Sequence, residues 1–137
     1  MTNRRTFLKG SLIMAGAIIV GRSATALGVS GSFPSNIVYT KDDPGKWAKK
    51  VGSHAPKVDI DGNRVTITTD HTMSNKHYIV RHTLVSADGS VIGGKTFSPS
   101  DKEAISTYEL PAGHGSKFYA TSFCNLHDFW VTEFTTK

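Results

Sequence analysis

Cysteine is almost missing from this chain, because Cys124 is the only one among 137 residues. Without a second cysteine there is no internal disulfide, which excludes the disulfide-rich class of small folds. The thiol is therefore a small buried apolar group, a partner for another molecule, or a metal ligand.

His127 follows Cys124 by three residues. A thiolate and an imidazole at this spacing can reach one metal ion from a single tight turn. The soft sulfur and the borderline nitrogen together favour iron, copper or zinc over magnesium or calcium. On its own, this pair leaves all three uses of the thiol open.

Sustained helical patterns are also missing beyond residue 26, which argues against helical bundles and against α/β folds with crossover helices. Residues 43–50 predict one or two helical turns. Short β-prone runs separated by turn residues occupy positions 37–40, 58–60, 64–69, 77–86, 91–97, 104–110, 117–123 and 129–135. This pattern predicts an all-β fold, an immunoglobulin-like antiparallel β-sandwich of about seven strands, with a small barrel as the alternative.

The first 26 residues have the composition of an export signal. Arg4 and Arg5 begin an Arg-Arg-x-Phe-Leu-Lys sequence, residues 11–20 are mostly apolar, and residues 24–26 form a small-residue cleavage site. This order predicts export by the twin-arginine route to the periplasm or cell surface. The apolar run is shorter than the ~20 residues of a membrane span, and a short uncleaved anchor is the alternative. The chain then divides into a signal (1–26), a flexible Gly/Ser-rich lead (27–36) and a β-sandwich domain (37–137).

Net charge outside this signal is close to zero. The full chain has a formal charge of +5, but the signal contains four basic residues and no acidic one, which leaves 12 basic and 11 acidic residues. A balance of +1 predicts no nucleic-acid partner, and we expect no stable membrane insertion of the mature domain. Export matters for Cys124 as well, because a lone thiol in an oxidising compartment favours the metal-bound use.

Four of the six histidines lie in predicted connections between strands: His54, His71, His77 and His127. Connections between alternate strands of a sandwich gather at one end, so these imidazoles could meet the Cys124 thiolate. Structural zinc sites are closed by four ligands, and five donors suit iron with one open position better. Blue copper needs a weak axial methionine, and no methionine follows His127, although Met73 leaves copper open.

The other two histidines have structural interpretations. His82 is inside a predicted strand, where a core or surface histidine is expected. His114 lies in a glycine-rich turn and is expected to be solvated. Met73 and Trp130 are interpreted as packing groups around the metal site.

Three segments resemble the superoxide reductases, the neelaredoxin and desulfoferrodoxin family. Residues 71–79, His-Thr-Met-Ser-Asn-Lys-His-Tyr-Ile, are similar to the family's His-Pro-Met…Lys-His-Tyr-Ile segment. Residues 124–130, Cys-Asn-Leu-His-Asp-Phe-Trp, resemble its Cys-Asn-Leu-His-Gly-Leu-Trp, and residues 54–56 resemble its His-x-Pro. The resemblance runs over about residues 46–134.

The resemblance implies an immunoglobulin-like sandwich carrying one mononuclear non-haem iron. The equatorial ligands would be His54, His71, His77 and His127, and the axial ligand Cys124. Such proteins reduce superoxide to hydrogen peroxide with one electron from ferrous iron and two protons. The resemblance also implies an electron donor, which the sequence does not identify, and is consistent with a homo-oligomer.

Two further implications concern the surroundings of the iron. Backbone N–H groups of the Cys-x-x-His turn are expected to hydrogen-bond the sulfur and tune its donation. A rubredoxin-like iron domain, present in some members, would need four more cysteines, so the resemblance implies a one-iron form.

Departures from the family pattern concern the residues around the ligands. The family has Glu-Lys directly before its first histidine, and here those positions are Gly52 and Ser53. The lysine could be replaced by Lys49, Lys50 or Lys76, whereas no acidic residue stands in for the glutamate. Thr72 replaces a proline, and residues 81–82 (Arg-His) replace an apolar-aromatic stretch, which predicts an altered rim.

Two other functions remain open from the sequence. The first is a non-catalytic periplasmic electron-transfer metalloprotein of the same fold, with iron or copper. The second is an exported β-sandwich interaction module without a metal.

Overall fold

The computed structural model describes residues 33–137. The predicted export signal at 1–26 and the first part of the predicted lead lie outside the described residues. Helical structure in the described part consists of a 3₁₀ helix, Gly45–Lys50, followed directly by α1, Val51–His54. No helix within residues 33–137 has both the length and the apolar character that crossing a membrane requires.

Seven strands make up the rest of the fold. They are β1 (Lys57–Asp61), β2 (Arg64–Thr69), β3 (Ile79–Ser86), β4 (Val91–Thr96), β5 (Ala104–Glu109), β6 (Lys117–Cys124) and β7 (Asp128–Thr135). The all-β prediction is confirmed, and each strand matches a predicted run within two residues at each end. Period-two alternation is the reason: in β2, Val65 and Ile67 are buried, and Thr66 between them is half-buried.

The strands form two antiparallel sheets. The first has the order β1-β2-β5 and the second β4-β3-β6-β7. Three strands facing four is an immunoglobulin-like sandwich, although β4 pairs with β3, whereas the fourth strand of a constant-type domain joins the first sheet.

Two apolar clusters fill the space between the sheets. One contains Val65, Ile67, Leu84, Leu110, Phe118 and Ala120. The other contains Ile79, Phe97, Ala104 and Cys124, with Met73 packed against it. The lone cysteine is therefore part of the core, with no exposed surface.

In the β-prone run at 37–40 only Tyr39 makes a bridge, to Trp130 of β7. One local prediction was wrong. His54 does not lie in a loop, since it is the last residue of α1, where the Ala55 N–H donates to the Val51 carbonyl at 3.0 Å. Pro56 ends this helix because the residue before a proline avoids the helical conformation.

The lead contacts the domain where the structure describes it. The Ser35 hydroxyl donates to the Asp43 carboxylate at 2.9 Å, and Asn36 Oδ1 accepts from the Lys46 N–H at 2.7 Å. These bonds hold the start of the 3₁₀ helix, which leads through α1 into β1. The α1–β1, β2–β3 and β6–β7 connections then lie at one end of the sandwich.

Candidate metal centre

Five side chains meet at this end of the sandwich. One ligand atom from each lies within 4.8 Å of every other, and the residues are His54, His71, His77, Cys124 and His127. These are the five residues that the sequence predicted as metal ligands. The fold brings all of them together from the end of α1, the β2–β3 connection, and the end of β6 with its following turn. Their binding to a metal remains a prediction.

The shortest distances show which atoms converge. Nε2 of His77 lies 2.9 Å from Nε2 of His71 and 2.9 Å from Nδ1 of His127. Cys124 Sγ lies 3.7 Å from the same Nδ1 atom of His127. Three ring nitrogens and a sulfur therefore face one small volume.

His54 is oriented by the helix that carries it. Its Nδ1 lies 3.2 Å from the Lys50 carbonyl, one helical turn back, and 2.8 Å from the Ser53 hydroxyl. Because a carbonyl only accepts, Nδ1 carries the proton and Nε2 presents a lone pair. That Nε2 atom is buried and has no hydrogen-bond partner among the described residues.

A buried nitrogen without a partner is costly, and a metal ion would satisfy it. Burial, followed by the nearby His71 and His127, lowers the pKa of His54 to about 4. Burial is also the main cause of the lowered pKa of His71, His77 and His127. Neutral imidazoles are the form that binds a metal, so the donor set fits one.

The sulfur has its own hydrogen bonds. Burial raises the pKa of the Cys124 thiol, and backbone N–H groups of Leu126 and His127 oppose this by donating to the sulfur. These are the N–H groups expected from the Cys-x-x-His turn. A positively charged ion in place of the thiol proton would reverse the effect of burial.

Two tryptophans support the ligands. Trp130 Nε1 donates to the His127 carbonyl at 2.8 Å, and its ring centroid lies 6.0 Å from that of His54. Trp47 meets the His127 ring edge to face at 4.6 Å, and its Nε1 donates to Asp128 Oδ2 at 3.0 Å. Trp130 packs beside the site, as interpreted from the sequence.

Asp128 and Trp47 were missed by sequence reasoning. Asp128 adopts φ 69°, in the left-handed region that favours glycine. The sequence did contain a signal for this backbone conformation, because the family motif has glycine at this position. The carboxylate of Asp128 also raises the pKa of Cys124, after burial, and opposes the lowering at His127.

The three candidate lysines are placed differently. Lys50 is half-buried, and after burial its charge is the next cause of the lowered pKa of His77. Its charge also contributes at His71 and His127. Lys49 and Lys76 are exposed, and the Lys76 carbonyl accepts from Asn125 Nδ2 at 3.0 Å. Of the three, only Lys50 is among the causes of the lowered pKa values of the ligand histidines.

The remaining histidines lie outside the ligand group. His82 has no exposed surface, which confirms a core histidine and corrects its assignment to the rim. His114 lies in its turn as a half-buried residue, with its ring centroid 5.7 Å from that of Phe118. Arg81 is also turned away from the rim, since its Nη1 donates to Thr96 Oγ1 at 2.6 Å.

Comparison with known families identifies the family of this chain. The model of the desulfoferrodoxin family matches residues 46–133, which is more than half of the chain. The chain belongs to the desulfoferrodoxin family. This membership and the group of four histidines and one cysteine together support a single mononuclear iron.

Solved structures agree on the fold of this desulfoferrodoxin-family chain. It is 24% identical to a superoxide reductase (neelaredoxin) from Ignicoccus hospitalis, with a TM-score of 0.62 over 73% of this chain and 94% of that one. A one-iron superoxide reductase from Giardia intestinalis is 22% identical, with a TM-score of 0.57 over 61% and 98%. The superoxide reductase from Treponema pallidum is 26% identical, with a TM-score of 0.52 over 62% and 69%. No curated protein matches the chain.

Proposed function

We propose that the protein is a superoxide reductase that converts superoxide to hydrogen peroxide at one iron. The observation that carries the proposal is the convergence of four imidazoles and one thiolate in a chain of the desulfoferrodoxin family. We assign His54, His71, His77, His127 and Cys124 as the ligands.

Ferrous iron held by these residues would supply one electron to each superoxide, with two protons taken up to form hydrogen peroxide. The protein's part is to hold the ligands in the right ionisation state. The imidazoles are neutral at pH 7, since burial lowers the pKa of each. Four neutral imidazoles and one thiolate leave a ferrous centre with net positive charge, which attracts a small anion.

Lys50 takes the role of the missing family lysine in this proposal. It lies four residues before His54, so the two residues occupy the same side of the helical segment. Its positive charge, after burial, helps to lower the pKa of His77. Ser53, which stands where the family has lysine, instead places its hydroxyl 2.8 Å from Nδ1 of His54.

We further propose export by the twin-arginine route to the periplasm or cell surface. The support is the order of charged, apolar and small residues at 1–26. The electron donor would then be a partner that reaches the exported protein.

Iron loading under anaerobic conditions tests the proposal. We expect one iron per chain, a thiolate-to-iron charge-transfer band in the oxidised protein, and consumption of superoxide without release of dioxygen. Cys124→Ser should abolish the band and the reduction. His114→Ala, which changes a histidine outside the ligand group, should leave both unchanged. Absence of iron, or iron without the band, would refute the proposal.

The departure at Gly52 and Ser53 favours one alternative, an iron electron carrier of the same fold. Gly52 is exposed and contributes no carboxylate. A protein with the charge-transfer band and reversible redox cycling, but no reduction of superoxide, would be this carrier.

A further inference from the structure

A layer of buried polar side chains crosses the core below the metal centre. It consists of Thr69, His82, Ser106 and Ser122, which we call the His82 layer. None of the four exposes more than 3% of its surface. His82 Nε2 lies 2.8 Å from Thr69 Oγ1, and its Nδ1 lies 2.8 Å from Ser106 Oγ. The Thr69 hydroxyl also lies 2.8 Å from Ser122 Oγ.

The His82 layer joins the two sheets. Thr69 and Ser106 belong to β2 and β5 of the three-stranded sheet, whereas His82 and Ser122 are directly paired residues of β3 and β6. Apolar groups lie on both sides of the layer along β6, with Ala120 in one cluster and Cys124 in the other. Directional hydrogen bonds thus replace apolar contact at one level of an otherwise apolar core.

Such bonds fix the relative position of the sheets more narrowly than apolar contact does. Apolar side chains can slide or repack at modest cost. A buried hydroxyl or imidazole that slides loses its partner and remains unsatisfied away from water. The layer therefore selects one alignment of β2 against β3 and β6.

Two members of the layer lie next to ligands. Thr69 is two residues before His71, and its carbonyl accepts the His71 N–H at 2.8 Å. Ser122 is two residues before Cys124 and shares the inward face of β6, since both side chains are buried. Ser106 differs, because β5 carries none of the five ligands.

We propose that the His82 layer is a positioning device for the metal centre. It fixes the start of the β2–β3 connection, which carries His71, relative to the end of β6, which carries Cys124. The bond from His82 to Thr69 is the part that acts on the ligands, and the bond to Ser106 serves stability only. This inference rests on the proposed metal site.

Paired variants of the layer test the inference. Thr69→Val removes the hydroxyl next to a ligand, Thr69→Ser keeps it, and Ser106→Ala removes a hydroxyl on the strand without ligands. The measurements are ferrous iron and zinc affinity by chelator competition, the energy of the charge-transfer band, and urea unfolding. We expect Thr69→Val to weaken metal binding about tenfold and to shift the band. Thr69→Ser should restore both.

Ser106→Ala should lower stability while leaving affinity and band unchanged. Unchanged affinity and band in Thr69→Val, or equal losses in Ser106→Ala, would overturn the inference.

If Thr69→Val does not fold, His82→Gln and His82→Asn replace it, because the glutamine amide reaches the Nε2 position and the asparagine amide the Nδ1 position. We then expect the glutamine variant to bind metal more tightly than the asparagine variant, and the reverse order would overturn the inference. A wild-type protein without a charge-transfer band would instead refute the proposed function.

Discussion

At the scale of single residues, Lys50 and His54 combine two roles within one helical turn. The Lys50 carbonyl lies 3.2 Å from His54 Nδ1 and holds its proton, while the Lys50 ammonium contributes positive charge beside His77. In the proposed reaction, one residue would therefore orient a ligand through its backbone and attract the anion through its side chain. A side-chain substitution separates these roles.

Lys50→Ala should slow the reaction with superoxide by about tenfold at low ionic strength, because it removes a steering charge. The backbone carbonyl remains, so the charge-transfer band should not move. Stopped-flow kinetics over a range of salt concentrations measures both the loss and its salt dependence. Lys49→Ala and Lys76→Ala change exposed lysines and should have effects below about twofold. Equal losses in all three variants would contradict the assignment to Lys50.

Asp128 is the carboxylate next to His127, and it holds the Trp47 indole at 3.0 Å. Its negative charge near the ligands favours the oxidised form of the iron. Asp128→Asn keeps an oxygen acceptor for the indole, and asparagine tolerates positive φ. The midpoint potential should therefore rise, by the equivalent of about 1 kcal/mol or more. Spectroelectrochemical titration measures it, with Asp42→Asn as the exposed control. A lower or unchanged potential would contradict this role.

At the scale of elements, the helical segment from Gly45 to His54 connects the lead to the metal centre. It begins where Asn36 Oδ1 accepts the Lys46 N–H at 2.7 Å. It is fixed at its middle by the Trp47–Asp128 hydrogen bond. The position of Lys50 and His54 therefore depends on how this segment starts.

Alanine substitution at two glycines of this segment should change the free energy of unfolding in opposite directions. Gly45 has φ 46°, and a Cβ atom there would lie 2.3 Å from Asn36 Oδ1. Gly45→Ala should therefore lower the free energy of unfolding by about 1–2 kcal/mol. A Cβ atom at Gly52 would meet no other atom within 4 Å, and Gly52→Ala in α1 should raise stability by up to about 1 kcal/mol. Urea denaturation measures both, and a stabilising Gly45→Ala would contradict the explanation.

At the scale of the whole molecule, buried histidines make stability depend on pH. Burial, with a smaller effect of Lys95, lowers the pKa of His82 from 6.5 to about 4. Above pH 6.5 both folded and unfolded chains hold this imidazole neutral. Between pH 6.5 and about 4 the unfolded chain binds a proton that the folded chain does not, so acid lowers the free energy of unfolding.

For His82 this loss should reach on the order of 3 kcal/mol near pH 4. His82→Gln has no titrating group, so its stability should fall less than that of the wild type between pH 7 and pH 4.5. Metal-free protein is the right sample, because ligand protonation also removes the metal. Urea unfolding at the two pH values measures the difference. Equal losses in the two proteins would show that His82 is not neutral in the folded state.

The sequence by itself determined the strands and the candidate ligand residues of this protein. Period-two alternation marks a strand because side chains alternate between core and solvent, and the Cys-x-x-His spacing marks a candidate metal site because its thiolate and imidazole can reach one ion from a single turn. These signals are local, so they can be read from neighbouring residues. Tyr39 shows the limit, since its β-prone run made only one bridge.

Only the tertiary structure decided which residues surround the ligands. Lys50 is half-buried, whereas Lys49 and Lys76 are exposed. Asp128 reaches Trp47 across 81 positions of the chain. The His82 layer assembles from four strands in two sheets, so none of its hydrogen bonds has a sequence pattern. The candidate ligands can be recognised from residue type and spacing in the sequence. The residues around them depend on contacts that exist only after the two sheets have packed.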